Sequence, residues 1–137
     1  MTIVGFNFMK ITAERKHAPG GKIGIQPNIS ISDVVPTDMA LGKNKENGLV
    51  FSFEYRFKYE PGVGEILMAG EVFYMDEAKK TKDILDKWKK EKKLEPELLG
   101  EVLGAATQRC NVEAILLSRE VNLPSPIRLP NLVVKKQ

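Results

Sequence analysis

Along residues 49–60 apolar and polar positions alternate almost without a break. Leu49, Phe51, Phe53, Tyr55, Phe57 and Tyr59 fall on one side, with Ser52, Glu54, Arg56 and Lys58 on the other. A period of two belongs to a half-buried β-strand, because successive side chains point to opposite faces of a sheet. The same period runs through Ile23, Ile25, Ile29 and Ile31, with Lys22, Gly24, Gln26, Asn28, Ser30 and Ser32 opposing them. Pro27 stands on the apolar side of that run and has no N–H for a ladder, so this strand is expected at a sheet edge or at a bulge. Residues 3–15 form a less regular strand, with Phe6 and Phe8 on one face and Met9 and Ile11 flanking them out of step. Residues 65–75 are apolar on both faces, Ile66, Met68, Val72 and Tyr74 against Leu67, Ala69, Phe73 and Met75. That composition places the fourth strand inside the sheet.

The connections set the pairing. Pro61-Gly62-Val63-Gly64 is a tight turn, so the third and fourth strands pair antiparallel. His17-Ala18-Pro19-Gly20-Gly21 is turn chemistry between the first two strands. Residues 33–48 hold Pro36, Gly42, Asn44 and Asn47 with few apolar groups. They read as a long polar connection, with a short turn of helix around Thr37-Asp38-Met39.

From Asp76 the period becomes that of a helix. Ala78, Thr81, Ile84, Leu85 and Trp88 gather on one stripe. Asp76 is placed to cap this helix and Glu77 to lie in its first turn, where acids suit the dipole. The other side carries Lys79, Lys80, Lys82, Lys87, Lys89, Lys90 and Lys93, with Asp83–Lys87 and Asp86–Lys90 as i,i+4 pairs. A second helix is expected from Pro96 to about Glu120, with Leu99, Val102, Leu103, Ala106, Cys110, Ala114, Leu117 and Val121 as its apolar set. Leu98, Ile115 and Leu116 widen that stripe, so more than one neighbour should cover it. Asn122-Leu123-Pro124-Ser125-Pro126-Ile127-Arg128-Leu129-Pro130 is barred from helix by its prolines and reads as an extended surface segment. The expected architecture is one α+β domain over 1–137. It has a strand-rich half (1–75) forming a four-stranded antiparallel sheet, then a helical half (76–121) of two helices on one sheet face, then an extended proline-rich tail (122–137).

Composition narrows the chemistry. At 137 residues and 42% hydrophobic the chain is long enough for one real core and too short for two ordinary domains. No apolar run approaches the roughly 18 residues of a membrane span, and the N-terminus lacks the pattern of a cleaved signal. A single cysteine, Cys110, makes no internal disulfide and suits a reducing cytoplasm. With one histidine, His17, the common metal sites and histidine-based catalytic sets are excluded. The two glycine clusters lie between strands, where they form turns rather than phosphate loops. Glu65 and Glu71 share a strand face about 20 Å apart at roughly 3.3 Å per residue, too far for a catalytic dyad. These exclusions predict a protein that is not an enzyme, with no cofactor and no metal.

Two surfaces remain as candidates. The aromatic row of the third strand, with Phe6, Phe8, Phe73 and Tyr74 on other strands, is much apolar area for two helices to cover. An excess would serve a peptide groove or an oligomer interface. Phe51, Phe53 and Phe57, with Leu123 and Ile127 of the tail, are the expected polypeptide-binding surface or its floor.

Three short segments carry a family resemblance: Phe6-Asn7-Phe8-Met9-Lys10-Ile11, Gln26-Pro27-Asn28-Ile29-Ser30-Ile31 and Arg119-Glu120-Val121-Asn122-Leu123-Pro124. In these segments, and in the order of its elements over residues 4–130, the chain resembles the SecB family of export chaperones. The resemblance implies a SecB-like fold, oligomerisation, and binding of unfolded or partner polypeptide in the cytoplasm. The chain is slightly basic, +3, where the export chaperones are acidic. Val134-Lys135-Lys136-Gln137 also lacks the cysteine and histidine of their zinc tail, so coupling to export is not implied. The basic surplus carries the second expectation, a structural protein of a ribonucleoprotein such as the ribosome. There Lys79, Lys82, Lys89, Lys90, Lys93, Lys135 and Lys136 would meet RNA phosphates beside neighbouring ribosomal proteins.

Overall fold

A computed structural model describes residues 2–17, 21–37 and 46–127. Four long strands, β1 (Thr2–Arg15), β2 (Gly24–Thr37), β3 (Glu46–Glu60) and β4 (Gly64–Glu77), precede two helices, α1 (Ala78–Glu91) and α2 (Pro96–Glu120). The strands form one antiparallel sheet in the order β1-β4-β3-β2. The doubly apolar β4 is internal, as its composition predicts, and β2 with its Pro27 is an edge strand. Among the described residues, β2 pairs only with β3 and β1 only with β4.

Bulges explain the irregular strands. On β1 the register shifts between Ile3 and Gly5 and again between Phe8 and Lys10. Each shift inserts one extra residue, so the parity of the facing positions flips. Ile3, Phe6, Phe8 and Ala13 thereby all pack against the core, while the extra residues Val4 and Met9 stand exposed. On β2 the shift lies between Ile31 and Asp33 rather than at Pro27, which pairs opposite Phe57. This bulge corrects the reading of residues 33–48 as a polar connection. The strand continues through Thr37 in reset register, with Val34 opposite Phe51 and buried. The turn expected around Asp38-Met39 lies outside the described residues.

Both helices cover the same sheet face. Its floor is Phe51, Phe53, Tyr55, Phe57 and Tyr59 of β3 with Ile66, Met68, Val72 and Tyr74 of β4. Down its buried side α2 presents Val102, Ala106, Cys110 and Ala114. These small side chains let the helix axis settle close to the aromatic rings and exclude water from them. The expectation that the row leaves much apolar area uncovered is corrected by that close approach. Each sealed aromatic contributes on the order of 2–3 kcal/mol of burial. Both helices pack on the sheet, and Ile84 of α1 and Leu98 of α2 line a shared pocket where the helices approach the connection.

The start of α1 also differs from expectation. Glu77, not Asp76, is the N-cap residue, and no side chain caps the helix. Asp76 still belongs to β4 and is buried, where its Oδ2 accepts the Tyr74 hydroxyl at 2.7 Å and its Oδ1 accepts the Glu77 N–H at 2.7 Å. The inward stripe of α1 is Thr81 and Trp88 with half-buried Ile84 and Leu85, and Ala78 is exposed. Lys87 forms its ion pair with Glu95 of the helix connection, 2.7 Å away. Past α2, Leu123 returns to the core, and Pro124 accepts the Tyr59 hydroxyl at 2.7 Å.

Candidate functional site

One opening of the described surface toward the core lies at the α1–α2 connection. Helix α1 stops because Lys92 turns left-handed (φ 55°) while its N–H still bonds the Trp88 carbonyl at 2.8 Å. A lysine in this conformation costs about 1 kcal/mol, where glycine would be at ease. The turn carries the chain over the end of α1 and sets the Lys92 ammonium over the Trp88 ring, 5.4 Å from its centroid. Leu94 follows, and Pro96 starts α2.

Between this connection, the first turns of α2 and the edge strand β2 runs an open groove of about 440 Å³. Its apolar walls are Ile29 and Ile31 of β2, Trp88, Leu94, and Leu99 and Leu103 of α2. Lys92 and Lys93 line it from the connection side. Trp88 is 7% exposed, and its indole Nε1–H is buried with no hydrogen-bond partner among the described residues. A buried donor left unmade costs roughly 1–3 kcal/mol. The outer edge of β2, bearing Ile29, Ser30 and Ile31, carries no partner strand among the described residues. Such an edge can add an extended chain through main-chain hydrogen bonds.

The residues singled out from the sequence fall elsewhere. Phe51, Phe53, Phe57 and Leu123 are buried in the core, and Ile127 is half-buried beside it. Ring contacts join Phe6 to Phe53 at 5.3 Å and Tyr55 to Phe57 at 4.5 Å. None of the five lines the groove; they lie in or against the body that supports it. Lys79, Lys82, Lys89, Lys90 and Lys93 are exposed, and Lys135 and Lys136 lie outside the described residues. The groove residues come from β2, the end of α1, the connection and α2, and the sequence pattern places Ile29, Ile31, Trp88, Leu99 and Leu103 on ordinary apolar stripes. The usable signal was local: Trp88 four positions before Lys92, with Leu94 beyond it on no helical stripe.

Cys110 is buried under α2, and burial pushes its thiol up to about 12. That is far from the lowered pKa of a reactive thiolate. His17 is exposed and donates its backbone N–H to the Val63 carbonyl. Glu65 pairs with Arg56 at 2.6 Å, and Glu54 with the same guanidinium at 2.9 Å. No group of acidic, histidine and cysteine side chains able to hold a metal occurs among the described residues. No helix among them is long and apolar enough to cross a membrane.

No protein-family model matches the chain, and no curated protein matches it. Its structure is similar to that of a SecB-like chaperone from Mycobacterium tuberculosis, solved in complex with a ChAD peptide from an antitoxin. The two are 13% identical, with a TM-score of 0.51 over 98% of this chain and 92% of that one. The chain has a SecB-like fold. Long strands, two helices laid on one face and the order of these elements are what the likeness covers.

Proposed function

We propose that the protein is a non-enzymatic SecB-like binding module of the cytoplasm that holds unfolded or partner polypeptide. The bound segment lies extended in the groove between β2 and the helix connection. Phe51, Phe53, Phe57 and Leu123 form the rigid floor beneath it, and Ile127 flanks that floor. The observation that carries this reading is the open apolar groove walled by Ile29, Ile31, Trp88, Leu94, Leu99 and Leu103, beside a strand edge with no partner among the described residues. An extended chain supplies what each of these lacks. Its main chain pairs with the strand edge, and its alternate side chains fill the space between Ile31 and Leu103. The Mycobacterium tuberculosis chaperone of similar fold was solved with a peptide bound, which supports the same reading.

Trp88 is the only tryptophan of the chain, so its emission reports on the groove directly. Titration with a chemically unfolded client should give a saturable change in that emission and suppress the client's aggregation. A silent tryptophan with no suppression would overturn the proposal. Sedimentation of cell extract at low and high salt tests the RNA-facing reading of the lysines. Co-migration with ribosomes that salt strips away would favour it, because each phosphate contact releases counterions.

A further inference from the structure

We infer that the groove selects extended segments whose apolar residues are flanked by acidic ones, a specificity that rests on the polypeptide-binding reading above. The walls are apolar, and the charged side chains lining the groove are Lys92 and Lys93. Among the described residues neither ammonium pairs with a carboxylate. Lys92 is instead drawn over the Trp88 ring. Of the neighbouring acids, Glu95 is occupied by Lys87, and Glu91, the last residue of α1, is exposed outside the groove lining. On the approach, the last turn of α1 adds exposed Lys89 and Lys90. Across the groove β2 contributes Ile29, Ser30 and Ile31, none of them charged, so no side chain lining that wall offsets the lysines.

A chain entering the groove therefore meets an apolar trough with positive charge along one rim. An aspartate or glutamate just outside the apolar core of the segment would sit near Lys93 and Lys92. A lysine or arginine there would face like charge across the same distance. Single exposed pairs are weak, but two together, with the like-charge penalty on the competitor, give a preference of about tenfold. The preference is electrostatic, so salt screens it as the Debye length falls from about 8 Å to about 3 Å at 1 M. Apolar burial sets whether a segment binds, and the rim sets which one.

The test uses the full chain and three labelled peptides with one alternating apolar core, flanked by glutamates, by lysines or by glutamines. Dissociation constants come from fluorescence anisotropy, with Trp88 emission confirming occupancy of the groove. The acidic-flanked peptide should bind about tenfold tighter than the lysine-flanked one, with the glutamine-flanked one between. That ratio should approach one at high salt. Lys93→Glu should reverse the order, and Lys92→Asn should reduce the ratio while keeping the helix end, since asparagine accepts the left-handed conformation. Equal affinity for the three, or a tenfold ratio that survives both substitutions, would overturn the selectivity and leave the groove standing. Failure of all three peptides to bind or to alter Trp88 would overturn the groove as well.

Discussion

The Tyr59 hydroxyl donates to the Pro124 carbonyl at 2.7 Å and so ties β3 to the segment that leaves α2. Beside it Leu123 is buried, with a methyl 3.2 Å from where a Cβ on Gly64 would stand. The bond and the leucine together fix the direction in which the chain departs from the fold. Tyr59→Phe removes the bond and leaves a carbonyl unpaired, at a cost of about 1 kcal/mol. The denaturant midpoint should fall with no change in slope, and amide exchange should quicken at residues 121–127. Unchanged exchange there would show that Leu123 alone holds the segment.

Alkaline pH should unfold the protein through groups that are neutral when buried. Burial pushes Tyr59 from 10.0 up to about 12 and Cys110 from 9.0 up to about 12. Burial raises Tyr74 and Tyr55 too, Tyr74 with help from its bond to Asp76 and Tyr55 from the nearby Cys110. In the unfolded chain these groups ionise near their ordinary values, so the folded state binds more protons above that point. Their contribution is full below about pH 9 and is lost as pH rises from there through about 12. Midpoints of denaturation measured across that window, with phenolate absorbance in parallel, should show both falling stability and delayed ionisation. A flat profile would contradict the burial.

Much of this fold was legible because most core positions keep one parity through a strand. On β3 and β4, Leu49 to Tyr59 and Ile66 to Tyr74 keep it throughout. Where a bulge resets parity the sequence misleads. Val34 and Val35 look like stray apolar residues in a polar stretch, because the extra residue before Asp33 flips the register. The binding surface was less legible still. Large aromatics such as Phe51 and Phe57 suggest a contact surface, but what buries them is the small size of Ala106, Cys110 and Ala114 on another element. The groove depends on a helix end at Lys92 and on which edge β2 occupies, and neither has a periodic signature.

Tyr74 and Asp76 form the buried polar pair at the β4–α1 junction. Burial raises the Asp76 carboxyl, but the bonds from the Tyr74 hydroxyl and the Glu77 N–H, with the charge of Lys80, outweigh it and hold the pKa below its ordinary 3.8. A depressed carboxylate stabilises the fold above its unfolded pKa, and that stability is lost as pH falls below it. Tyr74→Phe leaves the Asp76 Oδ2 without that bond and should cost about 1.5–3 kcal/mol, the range for a bond to a charged group. The loss should shrink below pH 3.8. An equal loss at pH 7 and at pH 3 would exclude the charged bond as its source.

Gly70 and Gly64 mark the two tightest approaches of the described glycines, and Gly70 lies in the middle of the sheet. A Cβ there would meet the Asn7 carbonyl oxygen of β1 and the Phe53 ring, the latter at 3.0 Å. Backbone on one side and a packed aromatic on the other leave nothing flexible to give way. Gly70→Ala should destabilise by about 1–3 kcal/mol through overpacking. The shift should appear first as faster exchange of β1 amides, since the edge strand is the part free to move. Wild-type stability in this variant would show that β1 sits farther from β4 than the register implies.

Trp88→Phe separates the groove from the core. Truncation to alanine would cost about 3–5 kcal/mol and confuse lost binding with lost folding. Phenylalanine keeps most of the ring packing and a weaker contact with the Lys92 ammonium. It also removes the indole donor that is buried without a partner. Relief of that unmade bond offsets part of the lost packing, so stability should change by less than about 1.5 kcal/mol. Affinity for an extended peptide should fall more clearly, by about fivefold, because the smaller ring withdraws part of the apolar wall. Anisotropy of a labelled peptide measures this without the tryptophan signal, and chemical denaturation of the same variant supplies the control. Full affinity in a stably folded Trp88→Phe protein would remove the indole from the binding machinery.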